Sequence, residues 1–188
     1  KDGNKIKLSG KLDEVHLFLR EGFIVPKQNT FEKYILNTMK LREEKLDLII
    51  NIDCDKQSQG VIFFDNDDRD TIKDKTYYRV ELNFTNDKLG IQTYKNNLTK
   101  YDYNDHLLGN IELWNINYII ESKKKEKKDK KYTIEINYKA ELKKEKENVE
   151  GKYDAENDKI AYDFKKIEKD VSLFEIESIV FNFWFDLF

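Results

Sequence analysis

The residues with the most evident chemical capacity are four aspartates in one short stretch, Asp65, Asp67, Asp68 and Asp70. Carboxylates this close suit either a calcium loop or the acid–base pair of glycoside hydrolysis. The regular calcium spacing fails. Counted from Asp65, an EF-hand loop needs an oxygen ligand at its fifth position, glycine at its sixth and glutamate at its twelfth. Arg69, Asp70 and Thr76 stand there. An irregular calcium site is the alternative. Neighbouring aspartates on one hairpin turn do not face each other across a substrate. A solvated acidic turn between two strands is the favoured reading, and no catalytic, cofactor or metal residue is assigned.

Other reactive types are sparse. His16 and His106 each lack a second His or Cys at ligand spacing, so metal binding is unsupported. The single cysteine, Cys54, excludes an internal disulfide and reads as a buried or half-buried thiol at the end of the apolar run Leu46–Ile52. No G-x-S-x-G elbow, P-loop or dinucleotide fingerprint occurs. Aromatic rings are plentiful, with 12 Phe, 11 Tyr and 2 Trp. Exposed rings stack on sugars, and Tyr77, Tyr78, Tyr101, Tyr103 and Trp114 are candidates; filling a β-core is the competing role. Asn83-Phe84-Thr85 and Asn97-Leu98-Thr99 are sequons, which makes Asn83 and Asn97 candidate N-glycosylation sites on a lumenal or secreted route.

These groups need a scaffold, and 188 residues supply one domain, or one domain plus the edge of another. Hydrophobic residues at 39% are enough for a core, while charged residues at 38% exceed the usual quarter. Net charge is -3, against nucleic acid as the main partner, because phosphate binding needs clustered Lys and Arg. The one basic run, Lys123 to Lys131, is interrupted by Glu126 and Asp129 and reads as a solvated, expanded hairpin loop. No stretch of 18 apolar residues offers a membrane-spanning helix. The opening KDGNKIKLSG has no signal-peptide core and runs straight into strand-like text. The expectation is a part of a longer polypeptide.

Short alternating runs dominate. Strands are predicted at Ile6–Leu8, Val15–Leu19, Phe23–Val25 (stopped by Pro26), Leu46–Asp53, Gly60–Phe64, Tyr77–Phe84, Leu89–Tyr94, Asn110–Ile116, Tyr132–Tyr138, Lys159–Phe164 and Glu175–Phe183. A further strand is predicted to start at Tyr118–Glu121. Thr30–Leu41 has room for a helical turn, and Glu141 to Glu150 reads as a helical turn or hairpin tip. Many short strands without a βαβ rhythm predict an all-β antiparallel sandwich, with a domain boundary near Arg42.

Several segments, in order, resemble the end of a glycoside hydrolase family 31 α-glucosidase. Leu12–Pro26 (LDEVHLFLREGFIVP) is similar to the family's PLD-x-I-x-L-h-x-RGG-x-I-x-P stretch, and Gln28 follows as in its P-x-Q. Asn37-Thr38 resembles the NT before the last domain, and Leu46–Asp53 the strand f-x-L-x-I-A-L-D. Gly60–Asp67 resembles G-x-L-[YF]-x-DDG, Tyr77–Phe84 the Y-Y-x-x-x-F that follows, Asn110–Trp114 the strand G-x-I-E-I-W-G, and Val171–Leu173 a late x-I-S-L strand. Arg20-Glu21-Gly22 departs from Arg-Gly-Gly, and Asn66-Asp67 from Asp-Gly.

The resemblance implies that residues 1–42 end a proximal C-terminal β-sandwich and residues 43–188 form a distal one. It implies a retaining parent α-glucosidase whose carboxylates, one in a W-x-D-M-N-E strand end, lie on a barrel absent here. This chain alone would be no enzyme, would carry no cofactor, and would support the catalytic domain, with α-glucan as a further conceivable partner. It implies a lumenal, lysosomal or secreted place. The alternatives are a stand-alone carbohydrate-binding β-sandwich and a structural subunit that lost the enzyme. A chain starting inside a sandwich should also expose unpaired strand edges.

Overall fold

The computed structural model describes residues 7–8, 10–11, 13, 15–28, 30, 33–65, 77–95, 106–120, 130–139, 147–164 and 171–185. Asp67, Asp68, Asp70, Asn97, Tyr101, Tyr103, Ile6 and most of the lysine-rich run lie outside them.

The period-two alternation builds the fold directly. In Tyr77–Thr85 the side chains of Tyr78, Val80, Leu82 and Phe84 are buried, while Arg79, Asn83 and Thr85 are exposed. The described residues form ten strands: β1 (Phe23–Gln28), β2 (Leu46–Asn51), β3 (Gln57–Asp65), β4 (Tyr77–Thr85), β5 (Lys88–Lys95), β6 (Leu108–Trp114), β7 (Lys130–Tyr138), β8 (Glu147–Asp154), β9 (Lys159–Asp163) and β10 (Ile176–Phe185). Two short helices, α1 (Thr38–Arg42) and α2 (Asn117–Ile120), interrupt them. The hydrogen-bonded order is β1-β2-β6-β9-β8-β7-β10-β5-β4-β3, closing from β3 back onto β1. The all-β class holds. The hydrogen bonds form one closed, barrel-like round and do not divide into two separate sheets.

Closure is narrow. β1 pairs with β2 along six positions, from Phe23↔Asn51 to Gln28↔Leu46. It meets β3 only at Phe23↔Gln59, in parallel. The approach depends on Gly60, because a Cβ there would lie 2.6 Å from the Ile24 carbonyl oxygen. The turn into β1 needs glycine as well. Gly22 has φ +80°, a conformation most side chains resist.

Inside the round, Leu48, Ile50, Leu82, Ile111, Leu113, Ile134, Ile160 and Ile179 are completely buried. Tyr162 on β9 meets Phe181 on β10 edge-on at 5.5 Å, and Phe181 meets Phe84 on β4 at 5.6 Å. These rings tie non-adjacent strands together through the core.

Several local expectations are corrected. Pro26 does not stop β1: it pairs with Leu48 inside the strand. Beyond Phe23 the other side of β1 has no partner strand among the described residues, so the missing N–H breaks no ladder bond there. Val15–Leu19 forms no strand. The helical turn is confined to α1, capped by Asn37, whose Oδ1 accepts from the Lys40 backbone N–H at 2.9 Å. Tyr118 lies within α2 rather than at the start of a strand, after Asn115 turns the chain at φ +59°. The charged stretch around Glu147–Glu150 opens β8 and pairs with β7. Cys54 is exposed, because β2 ends at Asn51 and Cys54 falls on the turn that Asp53 organises by accepting from the backbone of Asp55 and Gln57.

His106 is a core residue that its isolation in sequence did not reveal. It is 2% exposed, with its ring stacked on Phe64 at 3.9 Å and edge-on to Phe174 at 5.7 Å. Burial, helped by the nearby Arg42 charge, pushes its pKa down to about 4.

Two predictions follow from this packing. Gly60→Ala should cost about 2 kcal/mol by forcing β1 off β3, read as a lower urea midpoint and faster exchange of the Ile24–Gln28 amides. For His106 the folded pKa lies below the unfolded value near 6.5. Its contribution is therefore intact above pH 6.5 and is lost as pH falls toward 4, to the order of 2 kcal/mol. His106→Phe should flatten the difference between pH 7 and pH 4.5 in urea unfolding; an unchanged pH profile would contradict the assignment.

Candidate functional site

Along β3 the outward positions are as informative as the inward ones. Gly60–Phe64 (GVIFF) is apolar at every position, the pattern of a strand with both faces covered. Ile62 does point inward and is buried, but Val61 and Phe63 point outward and are 53% and 47% exposed. Phe23 and Val25 on β1 repeat the pattern beside them. The sequence signal for this face was therefore the missing alternation.

The face forms a groove of about 720 Å³ lined by Leu19, Arg20, Phe23, Val25, Val61 and Asn83, among others. One wall is the chain entering β1. It is held there by Asn51, whose Nδ2 donates to the Leu19 carbonyl at 3.0 Å, and by the Gln59 N–H donating to the Gly22 carbonyl at 3.0 Å. Asn115 in turn donates to Asn51 Oδ1 at 2.8 Å, so the clamp reaches the end of β6. Arg20 lies over the Phe23 ring at 5.6 Å. Across the groove, Arg79 pairs with Glu81 at 2.6 Å, and the Tyr94 hydroxyl donates to Glu81 at 3.1 Å. Partial burial, with that hydrogen bond and the Glu81 charge, holds the Tyr94 hydroxyl above its ordinary pKa.

A second apolar exposure lies upstream. Val15, Leu17 and Phe18 are 83%, 91% and 72% exposed and belong to no hydrogen-bonded ladder. Val15 and Leu17 alternate as a strand does, yet no partner strand stands beside them among the described residues.

Among the described residues, the candidate stacking rings Tyr77, Tyr78 and Trp114 do not form one platform. Tyr78 is 2% exposed and meets Phe174 edge-on at 5.1 Å, so it has no free face. Tyr77 is half-buried and stacked on Phe63 at 4.9 Å. Trp114 is half-buried on β6, and its indole N–H donates to Glu112 at 2.8 Å. Three strands separate β6 from β4 in the sheet order. Glu112 sits between Lys27 and Lys159, at 3.6 and 3.7 Å. The indole hydrogen bond and these cations outweigh burial and hold the Glu112 carboxyl below its ordinary pKa. Asn83 is exposed on β4, while Asn97 lies outside the described residues. Among the described residues, no group of three or more His, Cys, Asp or Glu is placed to hold a metal ion, and no helix is long and apolar enough to cross a membrane.

No protein-family model matches the chain. In sequence it is 28% identical over 116 residues to a probable maltase-glucoamylase 2 of Homo sapiens, a match covering 61% of this chain and 4% of that protein. In fold it is similar to the glucosidase II α subunit bound to α3-Glc2, at TM-score 0.61 and 13% identity, covering 87% of this chain and 17% of the other. The same subunit bound to DNJ gives TM-score 0.62 at 12% identity, with the same coverage. An ER glucosidase II heterodimeric complex gives 0.61 at 14%. The chain thus spans a small part of each relative's length. In sequence and in fold, it is similar to the C-terminal β-structured region of a glycoside hydrolase family 31 α-glucosidase.

Proposed function

We propose that this chain is the non-catalytic C-terminal portion of an α-glucosidase-like glycoside hydrolase, and that it braces a catalytic barrel located elsewhere in the same enzyme. The observation that carries this reading is the joint match, to a maltase-glucoamylase in sequence and to glucosidase II α in fold, each covering a fraction of a much longer protein. The hydrolysis of α-glucosidic bonds belongs to the barrel, and the catalytic strand motif W-x-D-M-N-E is absent from these 188 residues.

On this reading the boundary near Arg42 separates the end of a proximal β-sandwich from a distal one, with β1 lent to the distal sheet. The exposed Val15, Leu17 and Phe18 then belong to a segment that would become a strand only on meeting its neighbour in the proximal sandwich. The bracing contact is this segment, its apolar side chains Val15, Leu17 and Phe18 buried on docking. A lumenal, lysosomal or secreted location goes with the same reading.

Purified alone, the chain should release no product from 4-nitrophenyl α-D-glucopyranoside, and hydrolysis by it would overturn the reading. Leu17→Asp with Phe18→Asp should leave the urea midpoint of the isolated chain within about 0.5 kcal/mol, since neither side chain is buried. In the whole enzyme the same pair should cost about 3 kcal/mol, from two buried apolar side chains replaced by carboxylates. Equal effects in both contexts would contradict docking through this segment.

A further inference from the structure

The sequon Asn83-Phe84-Thr85 lies within β4, so its alternation is dictated by the sheet. Phe84 points inward and is 1% exposed, while Asn83 and Thr85 point outward and are exposed. The outward side of β4 at Asn83 is the groove itself, which Asn83 lines together with Phe23 and Val61. The register places these groups closely. Phe23 stands opposite Gln59, and Gln59 opposite Asn83, so the three form one row across β1, β3 and β4. With neighbouring strands about 4.8 Å apart, Asn83 and Phe23 are separated by roughly 10 Å. Neither the Asn83 nor the Gln59 side-chain amide has a hydrogen-bond partner among the described residues. The groove therefore offers an acceptor amide, a second amide beside it, and an apolar wall of Phe23 and Val61 that water covers poorly.

We propose that Asn83 carries an N-linked glycan whose first N-acetylhexosamine lies in this groove, covering Val61 and Phe23 as an intramolecular ligand. The bond formed joins Asn83 Nδ2 to the anomeric carbon of the sugar. The amide loses one proton to a base, and the pyrophosphate of a lipid-linked donor leaves. The apolar face of the ring then rests on Val61 and Phe23, its hydroxyl and acetamido groups meet Gln59 and solvent, and the second sugar extends toward Arg79 and Glu81. This accounts for outward Val61 and Phe23 on two neighbouring strands patterned for two covered faces. It also separates the two apolar exposures: the groove is filled by sugar, and Leu17 and Phe18 remain for the protein partner. The proposal rests on the lumenal part of the reading above, but not on the activity or identity of the barrel.

The test uses the full chain with Asn97→Gln, secreted from a eukaryotic cell behind an added leader, so that the route is supplied whatever the native location. Peptide mass mapping should find Asn83 occupied. Trimming to a single N-acetylglucosamine should preserve thermal stability. Complete removal, or the Asn83→Asp variant, which carries the same carboxylate without sugar, should lower Tm by about 2–4 °C. That difference should vanish in Phe23→Ser, with Val61→Thr as the second variant if Phe23→Ser does not fold. An unoccupied Asn83, as expected if protein covers the groove, would overturn the proposal. So would occupancy with no change of Tm on removal, the behaviour of a glycan that only projects into solvent. Either failure leaves the α-glucosidase reading standing, because catalysis is not measured.

Discussion

The rest of the structure depends on the approach of β1 to β3 across Gly60. Nine strands can pair in sequence from β2 round to β3, but the round closes only where β1 lies between them, bonded along its length to β2 and at one position to β3. No side chain fits at that crossing, since a Cβ on Gly60 would press on the Ile24 carbonyl oxygen. Closure leaves most strands with two neighbours and so satisfies their backbone groups. It also fixes the entry of the preceding chain. Gly22 turns it, Asn51 clamps Leu19, and the side chains of Val15, Leu17 and Phe18 just before that clamp are exposed.

Strong alternation was readable from the sequence, and weak alternation was not. Tyr77–Thr85 and Lys130–Tyr138 show the period of a half-buried strand, and both form one. Pro26 misled because a proline is compatible with a strand whose far side has no partner, and the sheet order alone reveals that. Glu147–Asp154 was hidden by charge: only Val149 in its first half is fully buried, so β8 exists through its ladder with β7 rather than through an apolar face. Tyr118 misled in the other direction, because one left-handed residue, Asn115, ends β6 and redirects the chain into α2. His106 carried no signal of its own. Its place is set by Phe64 and Phe174, which approach it from distant parts of the chain.

For the candidate site, residue types suggested more than the fold assembles. Tyr78 belongs to the core and Trp114 to another part of the surface, so the candidates among the described residues do not make one platform. The legible clue was quieter, namely two neighbouring segments, Phe23–Val25 and Gly60–Phe64, that are apolar without alternation. Such strands are built to be covered on both sides. One cover is the core. The other lies over the groove, where Asn83 stands in one row with Phe23, and the exposed Val15, Leu17 and Phe18 are what remains for contact with a larger enzyme.

The central claim is that these residues serve a catalytic barrel they do not contain. The most direct measurement is the sequence of the mature polypeptide, read by mass spectrometry from the cells that make it, on the N-terminal side of Lys1. The account predicts a (β/α) barrel there bearing the W-x-D-M-N-E carboxylate, joined to Lys1 or held against it after cleavage. A polypeptide with no barrel on that side would contradict it.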